Sequence, residues 1–177
     1  MKRQIRRNVF ETNSSSTHSL CITKNDVLNQ KVNSLHLSTG EYGWEWELYK
    51  NSGDKANYLY TALMYLEREE DLAKFIGILA NNGIEVTFSE KSDEYWENGY
   101  VDHADDLSDF IKDVLTDENK LMRFLFSSES YVQTGNDNTD TCDLGDCNDG
   151  SWDCDDCEYN TRREERNYEH TMYYKGN

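Results

Sequence analysis

The densest reactive chemistry in the sequence is the string Glu11-Thr12-Asn13-Ser14-Ser15-Ser16-Thr17-His18-Ser19, which packs seven hydroxyl or amide side chains around one carboxylate and one imidazole. Such a string offers many hydrogen-bond donors and acceptors in a small volume. With Arg6 and Arg7 close by in sequence it can anchor an anion, and Asn13, Ser14, Ser15 and Ser16 can bind a polar ligand. His18 with Glu11 can form a proton-transfer pair, or serve as base and orienter for a serine nucleophile. The string is not a phosphate-binding P-loop, because it lacks glycine and the Lys-Ser or Lys-Thr ending. Nor is it the Gly-x-Ser-x-Gly elbow of hydrolases. The competing interpretation is a serine-rich turn whose side chains satisfy their own backbone.

A second cluster is Cys142-x4-Cys147-x6-Cys154-x2-Cys157. Its two close pairs have spacings that let thiolates converge on tetrahedral Zn²⁺. Four thiolates on zinc already leave a site charge of about −2, and Asp143, Asp146, Asp149, Asp153, Asp155, Asp156 and Glu158 add negative charge with no Lys or Arg among them. Those carboxylates oppose thiol deprotonation while concentrating cations. A structural zinc site and an unmetallated acidic insertion are therefore both open. An EF-hand register fails, since aligning Gly150 with the loop glycine places Gly145 and Cys147 where acidic ligands belong. A redox role for Cys154-Asp155-Asp156-Cys157 is disfavoured by the acidic pair between its thiols.

The elements that must position these groups are set by 177 residues with 36% hydrophobic and 30% charged side chains, enough for one ordinary domain with an appended segment. Twelve tyrosines favour a folded core, and the absence of proline excludes proline-rich linkers and PxxP ligands. The formal charge of −17 opposes direct binding to nucleic-acid backbones and nonspecific adhesion to membranes. It is unevenly spread: residues 124–161 hold ten carboxylates and no Lys or Arg, whereas residues 1–24 hold Lys2, Arg3, Arg6, Arg7 and Lys24 against Glu11 alone. The opening leads into polar residues, no stretch has the length of a membrane span, and five cysteines make an odd number. These features predict a cytoplasmic protein with reduced thiols or metal-bound ones.

The periodicities predict a small α+β domain with a few strands and about three helices. Strands are expected near Ile5–Phe10, Leu20–Thr23, Leu35–Ser38 and Ile84–Phe88, with a loop over residues 40–53. Leu59, Ala62, Leu63 and Leu66 recur as one apolar helix face, with Asp54 as its cap. Leu72, Phe75, Ile76 and Leu79 repeat that spacing, and Asn81-Asn82-Gly83 supplies the stop. A loop to Asp106 precedes a third helix through Leu107, Phe110, Ile111 and Val114, and Arg123–Phe126 with Tyr131–Gln133 read as a hairpin. This divides the chain into a core at 1–135, an acidic Cys-rich segment at 136–161, and a tail at 162–177 able to pack on the core.

The string Arg6-Arg7-Asn8-Val9-Phe10-Glu11-Thr12-Asn13-Ser14-Ser15-Ser16-Thr17-His18-Ser19 resembles the start of a group of short bacteriophage and prophage proteins. Gly40-Glu41-Tyr42-Gly43-Trp44, Gly99-Tyr100-Val101-Asp102-His103 and Thr134-Gly135-Asn136-Asp137-Asn138 resemble the same group. The likeness implies a phage-type protein acting in a host cytosol and supplies no catalytic role. It also suggests that the four polar strings meet, bringing Glu11, His18, Glu41, Asp102, His103 and Asp137 together for acid–base chemistry or for one divalent ion. The plainer alternative has Asp102 and His103 capping a helix and Asn136–Asn138 making a turn. Trp44 and Trp46, among Glu41, Glu45 and Glu47, form either an aromatic wall for a ring or cation, or a core anchor.

Two functions from different classes follow. In the first, the polar pocket binds or acts on a small anionic or nucleotide-like ligand, with Arg6 or Arg7 anchoring the anion, His18 or His103 moving the proton, and Glu11 and Asp102 assisting. In the second, a non-enzymatic acidic protein binds a basic host protein, mimicking nucleic acid through its Cys-rich segment.

Overall fold

A computed structural model describes residues 16–89, 99–136 and 171–176 as a mixed α+β domain, and four α-helices are found among them. In chain order the elements are β1 (Ser16–Thr23), β2 (Ser34–Leu37), β3 (Glu41–Tyr42), β4 (Glu47–Tyr49), α1 (Ser52–Tyr65), α2 (Glu69–Asn81), β5 (Glu85–Phe88), β6 (Tyr100–Val101), α3 (Ser108–Thr116), α4 (Glu118–Phe126), β7 (Tyr131–Asn136) and β8 (Thr171–Gly176). A single 3₁₀ turn, Ala104–Leu107, leads into α3. No helix among the described residues is long and apolar enough to cross a membrane.

The largest sheet is antiparallel with strand order β4-β7-β1-β8. Directly opposed residues share a face, so the pairings His18↔Thr134 and Leu20↔Val132 put His18, Leu20, Val132 and Thr134 on one side. That side is the core side, since all four are buried. Two small parallel sheets, β2-β5 and β3-β6, lie apart from it. Parallel pairing requires a long crossover, and the β2 to β5 connection supplies one that contains α1 and α2.

Helix α1 is the centre of the domain. Lys55, Ala56 and every residue from Tyr58 to Leu63 are buried, so the helix is enclosed around most of its circumference instead of presenting one apolar face. It packs against β2, β6, α2 and α4. Its cap is Asn51, whose Oδ1 accepts from the Asp54 N–H at 2.8 Å while its Nδ2 donates back to the Asp54 carboxylate. Asp54, expected as the cap, thus lies inside the first turn, where its charge complements the helix dipole.

Three further sequence expectations are corrected. Residues 40–53, read as loop, contain β3 and β4. The loop expected up to Asp106 contains β6 and the 3₁₀ turn. Arg123–Phe126 is the end of α4 and not a hairpin strand. Leu121, Met122, Phe124, Leu125 and Phe126 bury a helical face there, and Asp117 caps the helix by accepting from the Asn119 and Lys120 N–H groups. The aromatic run has strong strand propensity, but the cap and the apolar spacing from Leu121 outweigh it. The helices over Leu72–Leu79 and Phe110–Val114 and the strands at Leu20–Thr23, Leu35–Leu37 and Val86–Phe88 are present, with Gly83 at φ +75° ending α2. Thr171–Gly176 forms β8 against β1. The strand expected at Ile5–Phe10 lies outside the described residues.

Candidate functional site

The site begins with β1. Alternation along this strand puts His18 on the buried face with Leu20 and Ile22. A fully buried imidazole needs polar partners, and α1 supplies one: the Tyr58 hydroxyl lies 2.9 Å from His18 Nδ1, itself fully buried. Burial first, and then the neighbouring Tyr42, push the Tyr58 phenol well above its ordinary pKa, so it stays protonated. A phenol both donates and accepts. Tyr58 can donate to an unprotonated Nδ1 or accept from a protonated one, so the contact is kept in either tautomer.

The other side of the imidazole is set by Gly43, at φ +122°. A Cβ at this position would stand 2.9 Å from His18 Nε2 and 2.8 Å from Asp102 Cβ. Both distances are closer than real Cβ contacts allow, and the conformation itself disfavours any other residue. Gly43 therefore lets both the His18 imidazole and Asp102 pack directly against its Cα, filling the space that any side chain would need. Two backbone pairings fix this close approach. In the parallel β3-β6 pair, Glu41 faces Tyr100 and Tyr42 faces Val101, and the Asp102 N–H continues the ladder to the Tyr42 carbonyl at 2.9 Å. Gly99, at φ +69°, lets the β6 backbone approach that of Gly40.

Aromatic contacts extend the site. Tyr42 meets Tyr58 and Tyr49 edge-on, each at 5.3 Å between ring centroids. Burial first, then Asp54 and Glu47, push the Tyr42 phenol up to about 12 against the opposing hydrogen bond with Thr61. Thr61 Oγ1 in turn accepts from the Gly40 N–H at 3.1 Å and donates to the Asn57 carbonyl. Helix α1 thereby fixes the backbone entering β3, the strand that Gly43 follows. Tyr100, paired with Glu41 across β3-β6 and two residues before Asp102, has its phenol raised by desolvation and then by the charges of Glu41 and Asp102.

Of the sequence-selected residues, the structure brings His18 and Asp102 together, with Glu41 near Asp102 through Tyr100 and Ser16 opposite Asn136 at the start of β1. His103 is exposed, in the left-handed region at φ 50°, and its N–H donates to Asp102 Oδ1 at 3.1 Å. Asp102 thus shapes the turn into the 3₁₀ segment as well as bordering the site. His103 precedes that segment without a side-chain cap bond. Trp44 is about half exposed (48%) and so is not a core anchor. Arg6, Arg7, Glu11, Asn13, Ser14, Ser15, Asp137, and Cys142, Cys147, Cys154 and Cys157 lie outside the described residues. Among the described residues, no group of three or more His, Cys, Asp or Glu side chains could hold a metal ion.

Sequence reasoning missed Tyr58, Tyr42 and Gly43. Tyr58 reads as one more large residue on a buried helix, and Gly43 as loop. The signal available was Gly40 and Gly43 bracketing Glu41-Tyr42, a sign of close backbone approach. The shallow depression lined by Glu67 to Asp71, on the turn between α1 and α2, contains none of these groups. Comparison of the chain with protein-family models, curated proteins and solved structures finds no match.

Proposed function

We propose that this chain is a phage-type accessory protein whose site binds a small anionic or nucleotide-like ligand and transfers a proton on it through His18. The observation that carries this reading is the packing of His18 Nε2 and Asp102 against the same glycine, Gly43, with Tyr58 on Nδ1. A buried imidazole braced at one nitrogen, with an aspartate packed against the same glycine as the other, has the parts of a general acid–base. Tyr58 is the positioning residue, and Asp102 favours the imidazolium that forms when the proton is taken.

The described part of the site is acidic and aromatic. Glu41 and Asp102 suit ligand hydroxyl or amino groups, and Trp44 suits a ring face. Anchoring the anion falls to Arg6 and Arg7, which precede the string in sequence. The resemblance of the four polar strings to bacteriophage and prophage proteins supports the accessory role.

The test is a thermal-shift and calorimetric screen of nucleosides, nucleotides and sugar phosphates against the wild type, His18→Asn, Asp102→Asn and Arg6→Gln/Arg7→Gln. The reading requires a ligand whose affinity falls in the arginine variant and whose turnover falls in His18→Asn and Asp102→Asn. Ligand binding and turnover unchanged in all three would overturn it.

A further inference from the structure

Five consecutive residues entering and forming most of β4, Trp44-Glu45-Trp46-Glu47-Leu48, are all exposed and alternate apolar with acidic. Trp46 exposes 49% of its surface and Leu48 39%, and Tyr100 beside Glu41 exposes 37%. Tryptophan is seldom left half in water without reason, and exposed aromatics within a polar frame mark interaction surfaces. The acidic frame is lopsided. Between residues 38 and 67 the cations are Lys50 and the buried Lys55, against Glu41, Glu45, Glu47, Asp54 and Glu67.

The strip is held in place. Thr134 Oγ1 donates to the Glu45 carbonyl at 2.8 Å, β4 is paired to β7 from Glu47 to Tyr49, and the Tyr49 hydroxyl donates to the Glu47 carboxylate. Tyr49 is itself packed on Tyr42. A surface fixed before binding loses little freedom when a partner arrives. β4 is also the terminal strand of its sheet among the described residues, so one side of the strip is not covered by another strand there. Carboxylates on a sheet edge discourage a second acidic strand while complementing a basic one.

We infer that Trp44 to Leu48 form a docking surface for a basic, arginine-containing segment of another protein. A segment along the edge of β4 presents alternate side chains to its two faces, so guanidinium groups stack on Trp46 with apolar stems over Leu48 on one face and others pair with Glu45 and Glu47 on the other. Charge complementarity selects this occupant: an acidic or neutral segment would leave the glutamates unpaired. The surface borders the proposed ligand site through Trp44, and its test rests on Trp46, Glu45 and Glu47, which the proton-transfer reading does not use.

The experiment is isothermal titration calorimetry of the full chain with an arginine–glycine nonapeptide and with its citrulline counterpart, which keeps the shape but lacks the charge. The arginine peptide binds and the citrulline peptide does not. Trp46→Ala weakens binding at least about threefold, and Glu45→Gln/Glu47→Gln does so without loss of packing. A variant neutralised in the Cys-rich segment, Asp143→Asn/Asp146→Asn/Asp149→Asn/Asp153→Asn, retains most of the affinity. The inference is overturned if the wild type does not bind, if the citrulline peptide binds equally, or if both strip variants bind like the wild type. Loss confined to the Cys-rich variant also overturns it, by assigning basic partners to that segment.

Discussion

Replacing Lys55 with methionine should change how stability depends on pH. Lys55 is fully buried on α1, and its Nζ donates to the Ser127 carbonyl at 2.7 Å and the Ser130 carbonyl at 3.0 Å. No carboxylate among the described residues pairs with it. Burial lowers its pKa from 10.5 to about 7, and a neutral amine still has two N–H donors, one for each carbonyl. Between pH 7 and about 10.5 the unfolded chain therefore binds a proton that the folded chain has released, so stability rises with pH. At about 1.4 kcal/mol per pH unit, and with the folded amine half protonated at pH 7, the gain from pH 7 to pH 9 is about 2 kcal/mol. Lys55→Met lacks this gain but loses two hydrogen bonds of about 1 kcal/mol each. Holding this amine near neutrality costs the wild type about 4 kcal/mol at pH 7 and about 2 kcal/mol at pH 9, so the variant, short of two hydrogen bonds, should be about 2 kcal/mol more stable than the wild type near pH 7 and about equal to it at pH 9. Urea denaturation of both proteins at pH 7, 8 and 9 measures the difference. Tyr42, raised to about 12, and Tyr58 act in the opposite sense above pH 10, where the unfolded phenols ionise first; they are common to both proteins and lie outside the window. A wild-type-minus-variant difference that stays constant across the three pH values would refute the argument.

Gly43→Ala meets His18 and Asp102 inside contact distance at a φ of +122°, and should cost about 2 kcal/mol or more by chemical denaturation; a loss under half a kcal/mol would show that the space beside His18 is not filled as described. Tyr58→Phe removes the hydroxyl partner of His18 Nδ1. It should cost about 1–2 kcal/mol and move the His18 ring resonances in a nuclear magnetic resonance titration, which a purely packing role would leave in place. Asn51→Ala deletes the α1 cap and should lower stability by about 1 kcal/mol, with Asn51→Asp recovering most of it. In an Asn51→Ala melting experiment, an unchanged midpoint would mean that α1 is held by tertiary packing alone.

By itself the sequence determined the helices at Leu72–Leu79 and Phe110–Val114, the stop at Asn82-Gly83, and the short strands around Leu35 and Val86. In these places the apolar spacing and the turn residues agree with the environment that surrounds them. It also marked His18 and Asp102 as chemically able. It could not show that Arg123–Phe126 is helical, because an aromatic run suits either state until the Asp117 cap and the packing of Leu121 and Leu125 choose. It could not show that α1 is enclosed, so Lys55 and Tyr58 passed as ordinary helix residues. Only the tertiary structure joined His18 to Asp102. These residues are 84 positions apart in the chain and meet because the β3-β6 pairing, permitted by Gly99 and continued through the Asp102 N–H, brings Asp102 against Gly43 beside the face of β1 that carries the imidazole. Local pattern fixes which residues can do chemistry; long-range backbone pairing and the absence of one side chain decide which of them share a space.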